Sequence, residues 1–437
     1  MNYKETCEYL FNQMPMFERQ GTSGYKEGLD NSLMLDEHFG HPHRNYRIIH
    51  VAGTNGKGSC AHTISAILQQ CGYKVGLYTS PHLVDFSERI RINGRPISEN
   101  YVVEFVEREK AFFEPLHPSF FEVTTAMAFK YFSDEEVDIA VIEVGLGGRL
   151  DCTNIVMPIL SIITNISYDH TQLLGSSLEQ IAMEKAGIIK KGVPVVIGEA
   201  TPETRMVFEA VAEEQKAPII FAEDKPEIQQ ALLIPNGYRY KTTHYGLIQG
   251  VLGGLCQEKN ANTILTAVRV LEDLGYMFRF SDDSDSEARG KEIAAGFMSV
   301  CDITGLKGRW QTISEAPKVV CDTGHNVGGW QYLHEQLNLV KCNTMRIIFG
   351  LVEDKDMEGI MELLPKNAVY YFTKTASKRA VSENVLKIMA EKYNLHGESY
   401  PSVSTAWESA RMSSASGDFI FIGGSSYVVA DFLKNCI

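Results

Sequence analysis

The chain alternates between two patterns of apolar and polar residues. Short apolar runs, which predict buried β-strands, occur at residues 47–52, 75–79, 137–144 and 159–163. Longer stretches with an apolar side chain at every third or fourth position, which predict amphipathic helices, occur at residues 60–71, 98–132 and 177–189. Because strands that alternate with helices form right-handed βαβ units, the pattern predicts an α/β fold with a mostly parallel sheet.

Further elements flank this pattern on both sides. Residues 1–46 predict two helices joined by a glycine-rich turn at residues 21–28. Beyond an amphipathic segment at residues 293–300, a second series of predicted strands occurs at residues 318–321, 345–349, 369–372 and 419–422. We therefore predict two domains, a larger one at residues 1–300 and a smaller α/β domain at residues 301–437.

The composition is that of an ordinary soluble globular protein. Of the 437 residues, 44% are hydrophobic and 22% are charged, and no apolar run is long enough to span a membrane. The formal net charge of −14, without a run of lysines or arginines, argues against nucleic acids and anionic membranes as partners. The nine cysteines form no C-x-x-C pair, which favours reduced thiols, and the N-terminus lacks an apolar signal segment. We therefore expect a cytoplasmic protein.

The turn at residues 53–59 (Gly-Thr-Asn-Gly-Lys-Gly-Ser), between the first predicted strand and helix, is the strongest chemical signal. Its glycines let successive backbone N–H groups converge on one point, and the positive end of the helix dipole adds to the same spot. Lys57 supplies a mobile positive charge, and Thr54 or Ser59 supplies a hydroxyl. We interpret the turn as a phosphate-binding loop, although Gly58 stands where Ser or Thr usually follows the lysine.

Three other predicted strands also end in polar groups, namely Ser80, Glu143 and His170. In parallel sheets, ligands bind at the carboxyl ends of the strands. A buried carboxylate is costly unless it is paired, so Glu143 either binds Mg²⁺ beside the phosphate loop or forms an ion pair with a residue such as Arg149. His170 is less typical of Mg²⁺, which prefers oxygen ligands, and by itself is more often a structural histidine.

Two cationic residues have alternative interpretations. Lys185 falls on the apolar stripe of the helix predicted at residues 177–189. It is either a lysine with a buried stem and a solvated tip, or an inward amine that loses its proton beside other cations and becomes reactive. Arg309, at the predicted junction of the domains, either reaches across a cleft to a nucleotide or forms a hinge salt bridge. Both pairs of alternatives stay open at this point.

Six motifs together resemble one family. They are the loop at residues 53–59, Ser80-Pro81-His82-Leu83, residues 143–151, Asp169-His170, Glu184-Lys185-Ala186-Gly187 and residues 322–326. From about residue 20 to the C-terminus, their order and spacing are similar to those of folylpolyglutamate synthase and dihydrofolate synthase, which belong to the Mur ligase superfamily. The chain departs from the family where Thr323-Gly324 replaces the usual Gly-Ala, and where Cys256 stands in place of histidine.

The resemblance implies an ATP-dependent amide ligase, with a P-loop-containing domain of Mur ligase type and a smaller Rossmann-like C-terminal domain. In that family a substrate carboxylate attacks the γ-phosphate of ATP, and the amino group of L-glutamate then displaces phosphate from the acyl phosphate. Both steps spread negative charge over oxygens, so positioned cations are expected to carry most of the catalysis. The implied substrates are ATP, L-glutamate and dihydropteroate or folates, and the implied state is a monomer.

The resemblance also implies roles for individual residues. The ATP-binding residues would be Thr54, Asn55, Gly56, Lys57, Gly58, Ser59, Asn260, Arg309 and Asp322. Two Mg²⁺ sites would be formed by Ser80, Glu143, His170 and Lys185, the last being the lysine that family members carbamylate with CO₂. The substrate-binding residues, for pterin and glutamate, would be Lys26, Phe121, Asp151, His325 and Ser425. The catalytic residues would be Lys57, His170 and Lys185.

Three alternatives to a folate ligase remain. The first is another Mur-type amino-acid ligase. The second is a phosphotransferase or nucleotide switch that uses the loop alone, and the third is a module that binds nucleotide without catalysing a reaction. The last two need neither polar groups at four strand ends nor a second α/β domain. We therefore favour the ligase.

Overall fold

The structure is a computed structural model that describes residues 1–16, 28–277, 286–353 and 355–437. Lys26, one of the predicted substrate contacts, lies outside the described residues, as does most of the glycine-rich turn. Within the described ranges, strands and helices alternate along the chain and form two large, mostly parallel sheets and one small antiparallel sheet.

The larger sheet carries the phosphate loop at its centre. Its strands are β1 (Arg47–Ala52), β2 (Val75–Tyr78), β3 (Ile90–Ile92), β4 (Arg95–Pro96), β5 (Ile139–Glu143), β6 (Leu160–Ile163), β7 (Val195–Ile197) and β8 (Ile219–Phe221). They lie in the order β4-β3-β2-β5-β1-β6-β7-β8. All neighbours are parallel except the pairs β4–β3 and β3–β2. The first strand therefore has two parallel neighbours on each side.

The α-helices among the described residues surround the sheets. Those up to residue 304 are α1 (Tyr3–Gln13), α2 (Asp30–His38), α3 (Lys57–Gln70), α4 (Glu99–Phe113), α5 (Phe120–Asp134), α6 (Thr171–Leu174), α7 (Leu178–Ala186), α8 (Pro202–Glu214), α9 (Gln257–Asp273) and α10 (Ser286–Thr304). The later ones are α11 (Val327–Leu339), α12 (Met357–Leu363), α13 (Glu383–Lys392), α14 (Val403–Met412) and α15 (Ser426–Asn435). None of the described helices is both long and apolar enough to cross a bilayer.

Both faces of the larger sheet are covered, which explains why its central strands are mostly apolar. The interior polar residues His50 of β1 and Ser161 of β6 are buried and hydrogen-bonded, to Thr153 Oγ1 and to the Ile188 carbonyl oxygen. Neighbouring residues of a strand point to opposite faces. Ile49 of β1 packs with Ile64 of α3 on one face. Ile48 packs with Phe105 of α4 and Phe129 of α5 on the other. The helix that follows the phosphate loop is thus anchored in the core.

The helical pattern at residues 98–132 forms two helices, α4 and α5. Pro115 lies in a short 3₁₀ turn after α4, and Pro118 precedes the next helix, so the chain cannot continue as one helix. Ser119 begins α5 with a capping box, in which its hydroxyl accepts the Glu122 N–H at 3.2 Å. The break separates α4 from α5, and residues of both helices contribute to the same apolar cluster.

The apolar pattern does not predict the short and antiparallel strands of the structure. β3 and β4 form a hairpin whose Asn93-Gly94 turn has φ of 46° and 74°, a conformation that an Asn-Gly pair favours. An antiparallel sheet formed by β9 (Ile228–Ile234), β10 (Gly237–Thr242) and β11 (Leu247–Gly250) was also missed. The prediction of a mostly parallel sheet therefore holds for the two large sheets only.

The smaller domain has a sheet of six strands. They are β12 (Gln311–Glu315), β13 (Lys318–Cys321), β14 (Met345–Phe349), β15 (Val369–Thr373), β16 (His396–Tyr400) and β17 (Phe419–Gly423). The order is β12-β13-β17-β14-β15-β16, and only the pair β12–β13 is antiparallel. The four predicted strands are present, whereas the two edge strands β12 and β16 were missed. The boundary at residue 301 stays a prediction, since α10 continues through that position to Thr304.

Helix α10 lies against α3 without space for a side chain at Gly296. A Cβ atom there would lie 2.6 Å from Ile67 Cγ1 and 2.7 Å from Ile67 Cα. We expect Gly296→Ala to lower the free energy of unfolding by about 1–3 kcal/mol, the usual cost of overpacking, as measured by thermal unfolding. Met298→Ala, on the exposed side of the same helix, is the control and should change it by less than about 0.5 kcal/mol. Equal losses in both variants would contradict this packing explanation.

Candidate active site

The polar strand ends of the larger sheet lie side by side. Because β2, β5, β1, β6 and β7 are neighbours, one edge of the sheet carries Ser80, Glu143, the loop at residues 53–59, His170 and Glu199. In the smaller sheet, β13, β17, β14 and β15 are neighbours and are followed by Asp322, Ser425, Lys355 and Arg379. All these residues line one cleft of about 280 Å³. The two sheets therefore direct their carboxyl ends at each other across a shared cavity.

The loop at residues 53–59 has the backbone that anion binding needs. Gly53 and Gly56 have φ of 144° and 82°, which residues with a side chain rarely adopt, and α3 begins directly after Gly56. Lys57 Nζ donates hydrogen bonds to the carbonyl oxygens of Gly53 and Thr54 at 3.1 and 3.2 Å. The free N–H groups at the start of the helix and the lysine charge therefore lie together at the cleft.

The neighbours of the loop fix its shape. The Asn55 N–H donates to Asn165 Oδ1 at 2.8 Å, which ties the loop to the chain that follows β6. A Cβ atom on Gly56 would lie 2.3 Å from Asn260 Oδ1, so Asn260 of α9 lies directly against the loop. A contact between Asn260 and ATP, which only the resemblance implies, stays a prediction.

Glu143 is a buried carboxylate, 4% exposed, at the end of β5. Burial raises its pKa, and the nearby charge of Lys57 opposes that shift. Among the described residues it accepts one hydrogen bond, from the Ser80 N–H at 3.3 Å. Arg149, the ion-pair partner considered from the sequence, donates instead to Glu184 Oε1 at 2.8 Å. The carboxylate of Glu143 therefore keeps lone pairs for a cation beside Ser80.

Lys185 is 3% exposed, which does not fit a lysine with a solvated tip. Burial, together with the positive charge of Lys57, lowers the pKa of Lys185 to about 7. At neutral pH, the amine is therefore uncharged in a substantial fraction of the molecules. Its amine makes no hydrogen bond to the residues that the structure describes, and it lines the cleft. The site thus holds a buried amine without a fixed partner.

The predicted metal ligands Ser80, Glu143, His170 and Lys185 all line the cleft. His170 adopts φ of 50° at the start of α6, and its side chain is 22% exposed. Within the described ranges, no group of three His, Cys, Asp or Glu side chains is arranged to hold a metal by itself. A metal here would therefore need the Ser80 hydroxyl, a modified Lys185 or oxygens from a bound ligand.

Arg309 reaches from the domain junction to the phosphate loop. Its Nη1 donates to Gly308 O at 3.3 Å and to the Thr323 hydroxyl. A Cβ atom on Gly58 would lie 3.3 Å from Arg309 Nη2 and 3.7 Å from Glu143 Oε2. The guanidinium group therefore lies beside both the loop and Glu143, as the cleft-spanning alternative requires. The glycine at position 58 leaves room for this approach.

The remaining predicted residues fall into two groups. Asp322, His325 and Ser425 line the cleft from the smaller domain, and Thr54, Asn55 and Ser59 line it from the larger one. Phe121 and Asp151 lie behind its wall. The Phe121 ring fills the space over Gly145, where a Cβ would meet it at 2.5 Å, and Asp151 Oδ2 accepts the Leu146 N–H at 2.8 Å. A pterin contact by Phe121 or Asp151 stays a prediction.

Several residues that line the cleft were not predicted from the sequence. Glu199, Lys355 and Arg379 follow β7, β14 and β15, so the strand-end rule would have found them if it had been applied to every strand. Tyr332 of α11 donates its hydroxyl to Glu199 Oε2 at 3.0 Å and thereby joins the two domains. A lone tyrosine on an amphipathic helix gives no such signal in the sequence.

Two family models match the chain. The Mur ligase middle domain matches residues 51–234, and the Mur ligase glutamate ligase domain matches residues 308–426. Together the two ranges include the phosphate loop and the strand ends of both sheets that line the cleft.

Known proteins are similar along nearly the whole chain. The dihydrofolate synthase/folylpolyglutamate synthase of Bacillus subtilis is 33% identical over 427 residues, which cover 94% of this chain and 95% of the relative. The structure of Escherichia coli FolC in complex with DHPP and ADP has a TM-score of 0.82 at 29% identity and covers 99% of this chain and 97% of that one. A bifunctional folylpolyglutamate synthase/dihydrofolate synthase of Yersinia pestis, complexed with AMPPNP and Mn ion, has a TM-score of 0.81 at 28% identity, with coverage of 99% and 97%.

Gly56 offers a direct test of the phosphate loop. Gly56→Ala would place a methyl group 2.3 Å from Asn260 Oδ1 at φ of 82°, which distorts the loop. A left-handed residue with a side chain costs about 1–2 kcal/mol, so we expect the affinity for ADP to fall by about tenfold or more in calorimetric titration. Gly192→Ala is the matched control, because φ is 71° there and nothing lies within 4 Å. It should lower thermal stability and leave ADP binding intact; unchanged ADP binding by Gly56→Ala would refute the assignment of the loop.

Proposed function

The chain belongs to the Mur ligase family, in its branch of folylpolyglutamate and dihydrofolate synthases, and from this premise we propose that it joins L-glutamate to dihydropteroate, to folates or to both. It is an ATP-dependent carboxylate–amine ligase. The proposed reaction rests on one observation: a phosphate loop, a buried carboxylate and cations from both domains meet in the cleft. A phosphotransferase using the loop alone would not require the second domain.

The first step is phosphoryl transfer from ATP to the substrate carboxylate. In the proposed arrangement the N–H groups of residues 53–59 and Lys57 hold the triphosphate, and Arg309 approaches the same phosphates from the domain junction. Negative charge spreads over the phosphoryl oxygens during transfer, and fixed cations stabilise it most strongly where water is excluded. The position of Arg309 beside both Gly58 and Glu143 supports this role.

The second step is attack of the glutamate amine on the acyl phosphate, with phosphate as the leaving group. The attacking glutamate must come from the side of the cleft that faces the phosphate loop. His325 and Ser425 lie on that side together with Arg379, whereas the charge of Lys355 is paired with Asp169. The guanidinium group of Arg379 suits a carboxylate of the incoming glutamate.

A divalent cation fits the donor set near the loop. Glu143 offers a buried carboxylate with one hydrogen bond from the described residues, Ser80 follows the adjacent strand β2, and His170 follows β6, on the far side of β1. Mg²⁺ prefers oxygen ligands and retains water and phosphate oxygens, which suits Ser80 and Glu143 better than His170. When bound, the ion would neutralise charge on the transferring phosphoryl group.

Lys185 is proposed to bind a second Mg²⁺ as a carbamate. The uncharged amine nitrogen adds to the carbon of CO₂ and loses a proton, which turns a cation into a carboxylate-like ligand. The burial of Lys185 and its pKa of about 7 supply the uncharged amine, and Lys57 supplies positive charge for the carbamate.

The reaction is tested by ADP release in a coupled assay. We expect turnover only when ATP, Mg²⁺, L-glutamate and a pterin acid are all present, because acyl phosphate formation and amine attack share one cleft. Comparison of dihydropteroate with a reduced folate separates the two activities. Turnover with a UDP-muramoyl substrate but with no pterin would place the chain elsewhere in its family, and glutamate-independent hydrolysis at the full rate would favour a phosphotransferase.

The carbamate is tested with Lys185→Ala. We expect activity to fall by about 100-fold or more, since a metal ligand is lost, with partial recovery when short carboxylates such as acetate fill the space. In ¹³C-bicarbonate, the wild type should show a carbamate resonance that Lys185→Ala lacks. Lys190→Ala is the matched control, because burial also lowers the pKa of Lys190 but this residue lies outside the cleft lining. Near-normal turnover of Lys185→Ala would refute the role.

A further inference from the structure

Asp169 is a carboxylate of the larger domain that three groups of the smaller domain contact. Its Oδ1 accepts a hydrogen bond from Lys355 Nζ at 2.6 Å, and its Oδ2 accepts one from Asn326 Nδ2 at 2.9 Å. His325 Nε2 lies 3.4 Å from the same Oδ2. Lys355 follows β14, whereas His325 and Asn326 follow β13, so one side chain joins two separate loops of the other domain.

This contact is buried on both sides. The side chains of Asp169 and Lys355 are 8% and 7% exposed. Because each charge is removed from water, loss of one partner leaves the other uncompensated. The pair is therefore favourable only while the two domains are together.

The contact continues to the phosphate loop. Asn326 Nδ2 donates to Asn55 Oδ1 at 3.0 Å, and Asn55 Nδ2 donates to Asn326 Oδ1 at 3.2 Å. Asn326 also begins α11, where its Oδ1 accepts the Gly329 N–H at 2.8 Å. Asn326 is thus hydrogen-bonded to Asp169 and to Asn55, which follow two different strands of the larger domain. The same residue caps the N-terminus of α11.

We propose that Asp169 is a positioning residue for amide formation, which orients His325 and Lys355 towards the cleft and holds the domains closed over it. The proposal rests on the proposed ligase function. The Asn55 N–H of the phosphate loop is held by Asn165 of the larger domain, and Asp169 reaches the loop only through Asn326. The side chains proposed to meet glutamate, His325 and Ser425, belong to the smaller domain. We therefore expect loss of Asp169 to affect the second step more than nucleotide binding.

The test is Asp169→Asn, which keeps the size of the side chain and removes its charge. We expect kcat to fall by at least about tenfold and the KM for glutamate to rise, since disruption of a buried charge pair has effects of this order. The dissociation constant of ADP should change by less than about twofold. Unchanged kcat and glutamate KM, or an equal loss of ADP affinity, would overturn the proposal.

A double substitution tests whether Asp169 acts through Lys355. Lys355→Met alone should also slow turnover, and the combined variant should be no slower than the slower single variant, because both changes disrupt the same contact. Multiplicative losses would overturn the coupling. Hydrogen exchange gives a readout without turnover: in the ADP-bound protein, Asp169→Asn should speed exchange of the Gly329 amide at the start of α11, and unchanged protection would overturn the closing role.

Asp36→Asn is the matched control for a general loss of stability. Asp36 is also buried, and it accepts hydrogen bonds from His41 Nδ1 at 2.6 Å and His43 Nδ1 at 2.7 Å, all within one domain and outside the cleft lining. We expect a lower thermal midpoint with unchanged glutamate KM. Equal kinetic losses in both variants would overturn the proposal. A wild type inactive with every pterin acid would refute the ligase function instead, and the hydrogen-exchange result for Asp169 would still stand.

Discussion

The position of β1 between β5 and β6 is the constraint on which the rest of the site depends. Parallel strands that are buried on both faces carry few polar side chains except at their ends, and right-handed crossovers bring all their carboxyl ends to one edge. The central strand therefore delivers the phosphate loop between Glu143 on one side and the chain leading to His170 on the other. The smaller domain repeats the arrangement, with Asp322, Ser425 and Lys355 at neighbouring strand ends. The cleft lies between the two facing sheet edges, so each domain supplies only part of its lining.

The charge of this cleft differs from that of the whole chain. The formal net charge is −14, but of the described residues that line the cleft, five are Lys or Arg and four are Asp or Glu. Cations grouped in a low-dielectric cleft attract anionic substrates and repel one another, which makes their protonation sensitive to the surroundings. Lys185 shows the result, because its burial near Lys57 makes the uncharged amine accessible at neutral pH. The same repulsion is relieved when phosphates and carboxylates bind.

Strands and site residues could be predicted from the sequence where a residue type has a single physical explanation. Mostly apolar runs identified β1, β2, β5 and β6, since strands that are buried on both faces have this pattern, and the polar residue after each run marked the site. Strands such as His396–Tyr400 were missed because an edge strand is half exposed and its residues mix polar and apolar types. Contacts between the domains could not be predicted from spacing at all. Asn55 and Asn326 are 271 positions apart, and each has a local role that explains it without the other.

Among the described residues, the two domains share hydrogen bonds and ion pairs but no apolar cluster, so the interactions that fold each domain differ from those that bring the domains together. The apolar clusters of the described residues stay either within residues up to 306 or within residues from 310 onwards. Hydrogen bonds cross the cleft, for example from the Tyr332 hydroxyl to Glu199, and from the Leu255 N–H to Gln336 Oε1 at 2.6 Å. Polar contacts of this kind can be exchanged for water at little net cost, whereas exposing an apolar core cannot. An interface of this kind would let the domains of a ligase part to admit substrates and rejoin to exclude water while each keeps its own fold.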